Sequence, residues 1–172
     1  CLAEQAKILF AEAEENNLGG KMLAERWQRW HECSLCEQGH HGVVSCALGW
    51  ACWKTYLGRP ETDQLRGMAM TTLGNGLHVV GHDEDALSVK EAELSIKRRL
   101  GVSEESILIA QGNLAVTHQA MGRFDEALRM RRDVYSGRLK LNGEEHYDTI
   151  REAFNYTTSL VSLKRYAEAK SL

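Results

Sequence analysis

The sequence predicts an all-α protein built from stacked antiparallel helix pairs. Three observations carry that prediction. The chain repeats itself every 41 or 42 residues, apolar side chains within each copy recur at helical intervals, and only one of the 172 residues is proline, which breaks helix interiors.

The repeat is plainest in two segments. Thr72-Leu73-Gly74, Leu77 and Gly81-His82-Asp83-Glu84-Asp85-Ala86-Leu87 return 41 residues later as Asn113-Leu114-Ala115, His118 and Gly122-Arg123-Phe124-Asp125-Glu126-Ala127-Leu128. A third copy follows after 42 more, with Asn155-Tyr156-Thr157 and Lys164-Arg165-Tyr166-Ala167-Glu168-Ala169. A fainter early copy shows as Gln38-Gly39-His40-His41 leading to Val44, 42 residues before Ala86.

In chain order, helices are expected near 2–17, 21–38, 42–57, 65–80, 83–100, 106–121, 124–141 and 147–163, with a last one starting near 165. The first helix of each copy carries a stripe at steps 0, 3, 7 and 10: Met70, Leu73, Leu77 and Val80, then Gln111, Leu114, His118 and Met121, then Ala153, Tyr156, Leu160 and Leu163. The second helices carry Ala86, Val89, Ile96 and Leu100, and then Ala127, Met130, Val134 and Leu141. Each stripe gives its helix one face to bury. Leu18-Gly19, Leu57-Gly58, Leu100-Gly101 and Leu141-Asn142 are read as helix ends, because glycine and asparagine suit a left-handed C-terminal cap. Turns around Gly81 and Gly122 join the two helices of a pair. One pair cannot bury its faces alone, so stacked pairs share a continuous core.

The period, the Asn-Leu-Ala of residues 113–115, the turn Gly122-Arg123-Phe124-Asp125-Glu126-Ala127-Leu128 and the closing Leu-Gly pairs resemble the kinesin-light-chain form of the tetratricopeptide repeat. The resemblance is best over 65–172. It implies a right-handed superhelix of antiparallel helix pairs, divided as a truncated earlier repeat over 1–20, a divergent repeat over 21–64, full repeats over 65–105 and 106–146, and a partial repeat over 147–172. It also implies a scaffold that holds a peptide or protein partner on its concave surface, without catalysis. Asparagines at the Asn-Leu-Ala position of such repeats hydrogen-bond a peptide backbone. By residue this points to Asn113 and Asn155, with Thr72 at the third equivalent place. An asparagine suits that task because it donates and accepts at once.

Other groups invite a chemical reading. Cys33 and Cys36, followed by His40, His41 and Cys46, resemble a zinc set. The expected helix over 21–38 instead puts both cysteines on one face, where small apolar thiols pack, so no metal and no cofactor are assigned. His118 lies on the buried stripe and is read as a core histidine. Lys97, Arg98, Arg99, Arg129, Arg131, Arg132, Arg138 and Lys140 are read as a solvated outer face. Trp27 with Trp30, and Trp50 with Trp53, form two pairs at i, i+3 on adjacent helices, expected to pack on each other.

The totals fit this picture. A hydrophobic content of 43% and a charged content of 26% are ordinary for a globular chain, and a formal charge of −3 exerts no pull toward nucleic acid or an anionic membrane. No apolar run is long enough to span a bilayer, and no secretory signal opens the chain. Five cysteines in a helical chain are not a disulfide framework and suggest a reducing compartment, the cytoplasm. The chain is expected to be part of a longer one with flanking repeats. No nucleotide loop, metalloprotease motif or nucleophile elbow is present. The competing reading is a regulatory or oligomerisation arm of a larger enzyme, a nucleotide-switch or zinc-containing protein whose catalytic domain lies elsewhere.

Overall fold

The computed structural model describes residues 2–172; Cys1, one of the five cysteines, lies outside the described residues. The fold is all-α. Helices α1 (Leu2–Glu15), α2 (Gly20–Trp27), α3 (Gly42–Tyr56), α4 (Gln64–Val79), α5 (Asp83–Leu100), α6 (Glu104–Ala120), α7 (Phe124–Asn142), α8 (Tyr147–Ser162) and α9 (Tyr166–Ala169) follow one another, with a 3-10 turn over Gln28–Trp30. Two compact units are formed, Cys1–Val89 and Lys90–Leu172.

Within the first unit the core is aromatic. Phe10 meets Trp27 edge-on with centroids 5.3 Å apart, and Tyr56 joins both, at 6.1 Å and 5.3 Å. Trp30 lies 6.3 Å from Tyr56. Ala6, Leu48, Cys52 and Ala69 complete this core. Helices α3 and α4 approach closely because two glycines face their neighbours' backbones. A Cβ on Gly49 would stand 3.0 Å from the Thr72 carbonyl, and one on Gly76 would stand 2.8 Å from that of Ser45. Arg59, just beyond α3, grips Glu14 at the end of α1 through two hydrogen bonds of 3.0 Å and 2.8 Å.

In the second unit Leu108, Leu114, Ala115, Ala127, Leu128, Val134 and Leu160 are buried. Gly137 on α7 makes room for the Leu108 side chain. Tyr135 and Tyr156 stack with centroids 6.1 Å apart. Ser103 caps α6 by accepting the Ser106 N–H, as Asp63 caps α4 by accepting that of Leu65.

The first helices of the three later copies end alike. Gly81, Gly122 and Lys164 have φ of 76°, 73° and 60°. The next residue donates back to the helix in each case: His82 to Leu77, Arg123 to His118, Arg165 to Leu160. This paired pattern of bonds closes a helix around a left-handed residue. The Leu-Gly marks fare differently. Gly101 is left-handed as expected, but α1 is capped by Asn17 at φ 49° while Gly19 precedes α2 as its N-cap. Gly143 at φ 80° takes the place expected of Asn142, and Leu57 ends α3 in right-handed geometry.

The helix expected over 21–38 is the largest departure. It stops at Trp27, tightens into the 3-10 turn, and gives way to a loop closed by an isolated antiparallel bridge between Glu32 and Gly39. His31, Cys33, Ser34, Cys36 and Gly39 are weak helix formers, and Glu37 adopts φ 56°, which helical continuation forbids. Leu141, placed on a buried stripe, is exposed near the end of α7.

Candidate functional site

An open cleft of about 400 Å³ lies within the second unit, between α6 and α8 and floored by α7. Asn113 on α6 and Asn155 on α8 both line it. They are 42 residues apart and occupy the same place in successive copies. Leu108, Ile109 and Val116 supply an apolar wall.

Local bonding fixes the asparagines. The Asn113 carbonyl accepts from Lys90 Nζ at 3.3 Å, and Lys90 also donates to Thr117 Oγ1 at 3.0 Å. Asn113 is half-buried where it lines the cleft. Asn155 Nδ2 donates to Glu152 Oε2 at 3.2 Å.

Two arginines form the floor. Arg131 is 7% exposed and Arg138 is 3% exposed. Arg131 Nη1 donates to Glu152 Oε2 at 3.5 Å, and burial lowers the guanidinium's pKa while Glu152 opposes that effect. Arg138 Nη1 donates to Glu105 at 3.2 Å, with Asp148 at 3.9 Å. The Nε–H of each arginine is buried without a hydrogen-bond partner among the described residues. Arg151 stands at the rim, paired with Asp148 at 2.9 Å. The cleft is thus lined by two asparagines, three arginines, one glutamate and an apolar wall.

Arg131 and Arg138 correct the reading of the basic residues as a solvated outer face. Each lies four residues after a stripe position, Ala127 or Val134, and so on the buried side of α7. The repeat also carried a signal. Lys90 stands 41 residues before Arg131, is equally buried, and reaches the following first helix as Arg131 does.

The remaining candidates stand apart. Thr72, in the first unit, is 4% exposed; its hydroxyl donates to the Met68 carbonyl at 2.9 Å and lies 3.5 Å from His31 Nε2. His118 is buried on α6. Trp27 and Trp30 pack together in the aromatic core and Trp53 packs against that core, with the Arg66 guanidinium 5.9 Å over its ring, so the expected packing between the helices is met by three of the four tryptophans, while Trp50 faces solvent. Cys33 and Cys36 lie in the 31–41 loop rather than on a helix face, Cys36 exposed and Cys33 half-buried. His40 is half-buried in the same loop, and no group of three or more His, Cys, Asp or Glu side chains among the described residues could hold a metal ion.

Residues 107–148, which span α6, α7 and the start of α8, match the tetratricopeptide repeat family. The fold is that of a tetratricopeptide-type helical repeat array. The array is similar over 98% of its length to the crystal structure of nearly identical TPR-like repeats from a Podosopora anserina protein assigned as a kinesin light chain, with a TM-score of 0.62, 18% identity and 69% of that chain covered. A single-substitution variant of the same protein matches at a TM-score of 0.61, again with 18% identity and with the same shares of the two chains. At this identity the likeness is one of fold. No curated protein matches the chain in sequence. Among the described residues, no helix is long and apolar enough to cross a membrane.

Proposed function

We propose that this tetratricopeptide array is a protein-interaction scaffold, and that the cleft between α6 and α8, as part of its concave face, holds an extended segment of a partner protein. The observation that carries the reading is the placement of Asn113 and Asn155, equivalent residues of successive copies, on one open cleft. Their amides bond the partner's backbone, and Leu108, Ile109 and Val116 receive an apolar side chain. Arg131, Arg138 and Arg151 outnumber Glu152 among the lining charges, which favours a segment bearing a carboxylate over a basic one. Thr72 is committed to its own helix, so the reading rests on the two asparagines. The role is one of binding rather than catalysis. The unbridged cysteines among the described residues favour a reducing compartment such as the cytoplasm.

The test is a random peptide library screened against the parent chain and an Asn113→Ala/Asn155→Ala variant. Peptides selected by the parent are expected to bind the variant at least about tenfold more weakly, or roughly 1.4 kcal/mol, while both proteins keep equal helicity and stability. Equal binding by the variant removes the asparagines from the site.

A further inference from the structure

We propose that Cys33 and Cys36 are a redox-active dithiol that closes to an intramolecular disulfide by exchange with a small disulfide. The inference concerns the 31–41 loop of the first unit and does not depend on the peptide reading.

The chain reverses direction over the Cys33-Ser34-Leu35-Cys36 segment. Cys33 N–H donates to the Gln38 carbonyl at 2.9 Å, Glu37 N–H donates to the Cys33 carbonyl at 3.0 Å, and His40 N–H donates to the His31 carbonyl at 2.7 Å. This small hairpin, closed by the Glu32–Gly39 bridge, holds the two cysteines three residues apart within one tight turn. The Cys33 sulfur also accepts the backbone N–H groups of Leu35 and Cys36, and Arg29 adds positive charge nearby; together these hold the thiol below its usual pKa. A thiolate is the nucleophile in such chemistry, and backbone donors at a Cys-x-x-Cys turn favour it. Access is open, since Cys36 and Leu35 are exposed. Cys52 provides the contrast: buried in the aromatic core, its thiol is pushed up to about 12. Metal binding fits the loop less well, because two thiolates fall short of the four ligands of a structural zinc site and no third donor completes a set among the described residues.

The step balances as follows. The Cys33 thiolate attacks one sulfur of the external disulfide, whose S–S bond breaks and releases one thiolate that takes a proton from water. The Cys36 thiol loses its proton and attacks Cys33 sulfur in the mixed disulfide, expelling the second thiol. Two electrons pass from the protein dithiol to the external disulfide, which leaves as two thiols.

The test uses the full chain with Cys1→Ser and Cys46→Ser, so that Cys52 is the remaining thiol outside the pair. The protein is equilibrated with mixtures of oxidised and reduced glutathione, quenched, unfolded, alkylated and weighed intact. Expected is a joint, reversible loss of two alkylatable thiols with no glutathione retained. The same chain with Cys36→Ser stops at a glutathione adduct, and the one with Cys33→Ser reacts at least about tenfold more slowly, both with unchanged helicity by circular dichroism. Three outcomes overturn the proposal: a stable adduct on the parent, thiols that stay alkylatable in excess oxidised glutathione, or one equivalent of added zinc that protects both thiols of the reduced chain from alkylation.

Discussion

Lys164 does at one turn what glycine does at two others. It holds φ 60° where Gly81 and Gly122 hold 76° and 73°, and a side chain there meets its own backbone. Replacing Lys164 with glycine is expected to raise stability by about 0.5–1 kcal/mol, since the strain relieved slightly exceeds the unfolded-state entropy that glycine adds. A urea midpoint that does not rise would show the strain to be absorbed elsewhere. Arg131 and Glu152 invite a different test. Both are buried, so Arg131→Met deprives Glu152 of its buried cationic partner, leaving it the half-exposed Arg151 at 3.5 Å and the Asn155 amide, and is expected to cost about 3 kcal/mol, whereas Arg131→Met/Glu152→Met recovers most of that loss. A double variant no more stable than the single one would mean that packing, not the lost buried partner, sets the loss. At this scale the sequence was only partly legible. The family resemblance pointed to Asn113 and Asn155, which both line the cleft, but charge alone made Arg131 and Arg138 look solvent-facing. Their true direction follows from helical phase, which composition does not encode.

Helices were more legible than single side chains. Seven of the nine among the described residues, α1 and α3–α8, start and stop close to where they were expected, because an apolar stripe tens of ångströms long is hard to mistake. The 31–41 loop was misread for a physical reason. Trp27 and Trp30 are anchored in the aromatic core, and the weak helix formers that follow have no stripe to carry the helix onward. Contact between α3 and α4 was also invisible beforehand, because it depends on which glycine faces which backbone. A methyl group on Gly76 would meet the Ser45 carbonyl at 2.8 Å and Cys46 Cα at 3.0 Å, both main-chain atoms with little freedom to yield. Gly76→Ala is therefore expected to lower stability by about 1–3 kcal/mol despite alanine's better helix propensity. Circular dichroism melts would decide it, and a raised midpoint would refute the close approach.

Across the whole molecule, the repeat set the fold class, since one copy cannot bury its own faces and neighbouring copies must supply the missing surface. Its regularity is plain from Thr72 onward, and the family match and the cleft both fall in Lys90–Leu172; it is faintest over the early part of Cys1–Val89, where Phe10, Trp27, Trp30 and Tyr56 form an aromatic core instead. That difference has an optical consequence. All four indoles, Trp27, Trp30, Trp50 and Trp53, belong to the first unit. Intrinsic emission therefore watches one part of the chain and is blind to the other. In the Gly76→Ala protein the emission midpoint in urea should fall by more than the far-ultraviolet midpoint, which averages over every helix. A peptide seated between α6 and α8 should leave that emission unchanged unless it brings a tryptophan of its own.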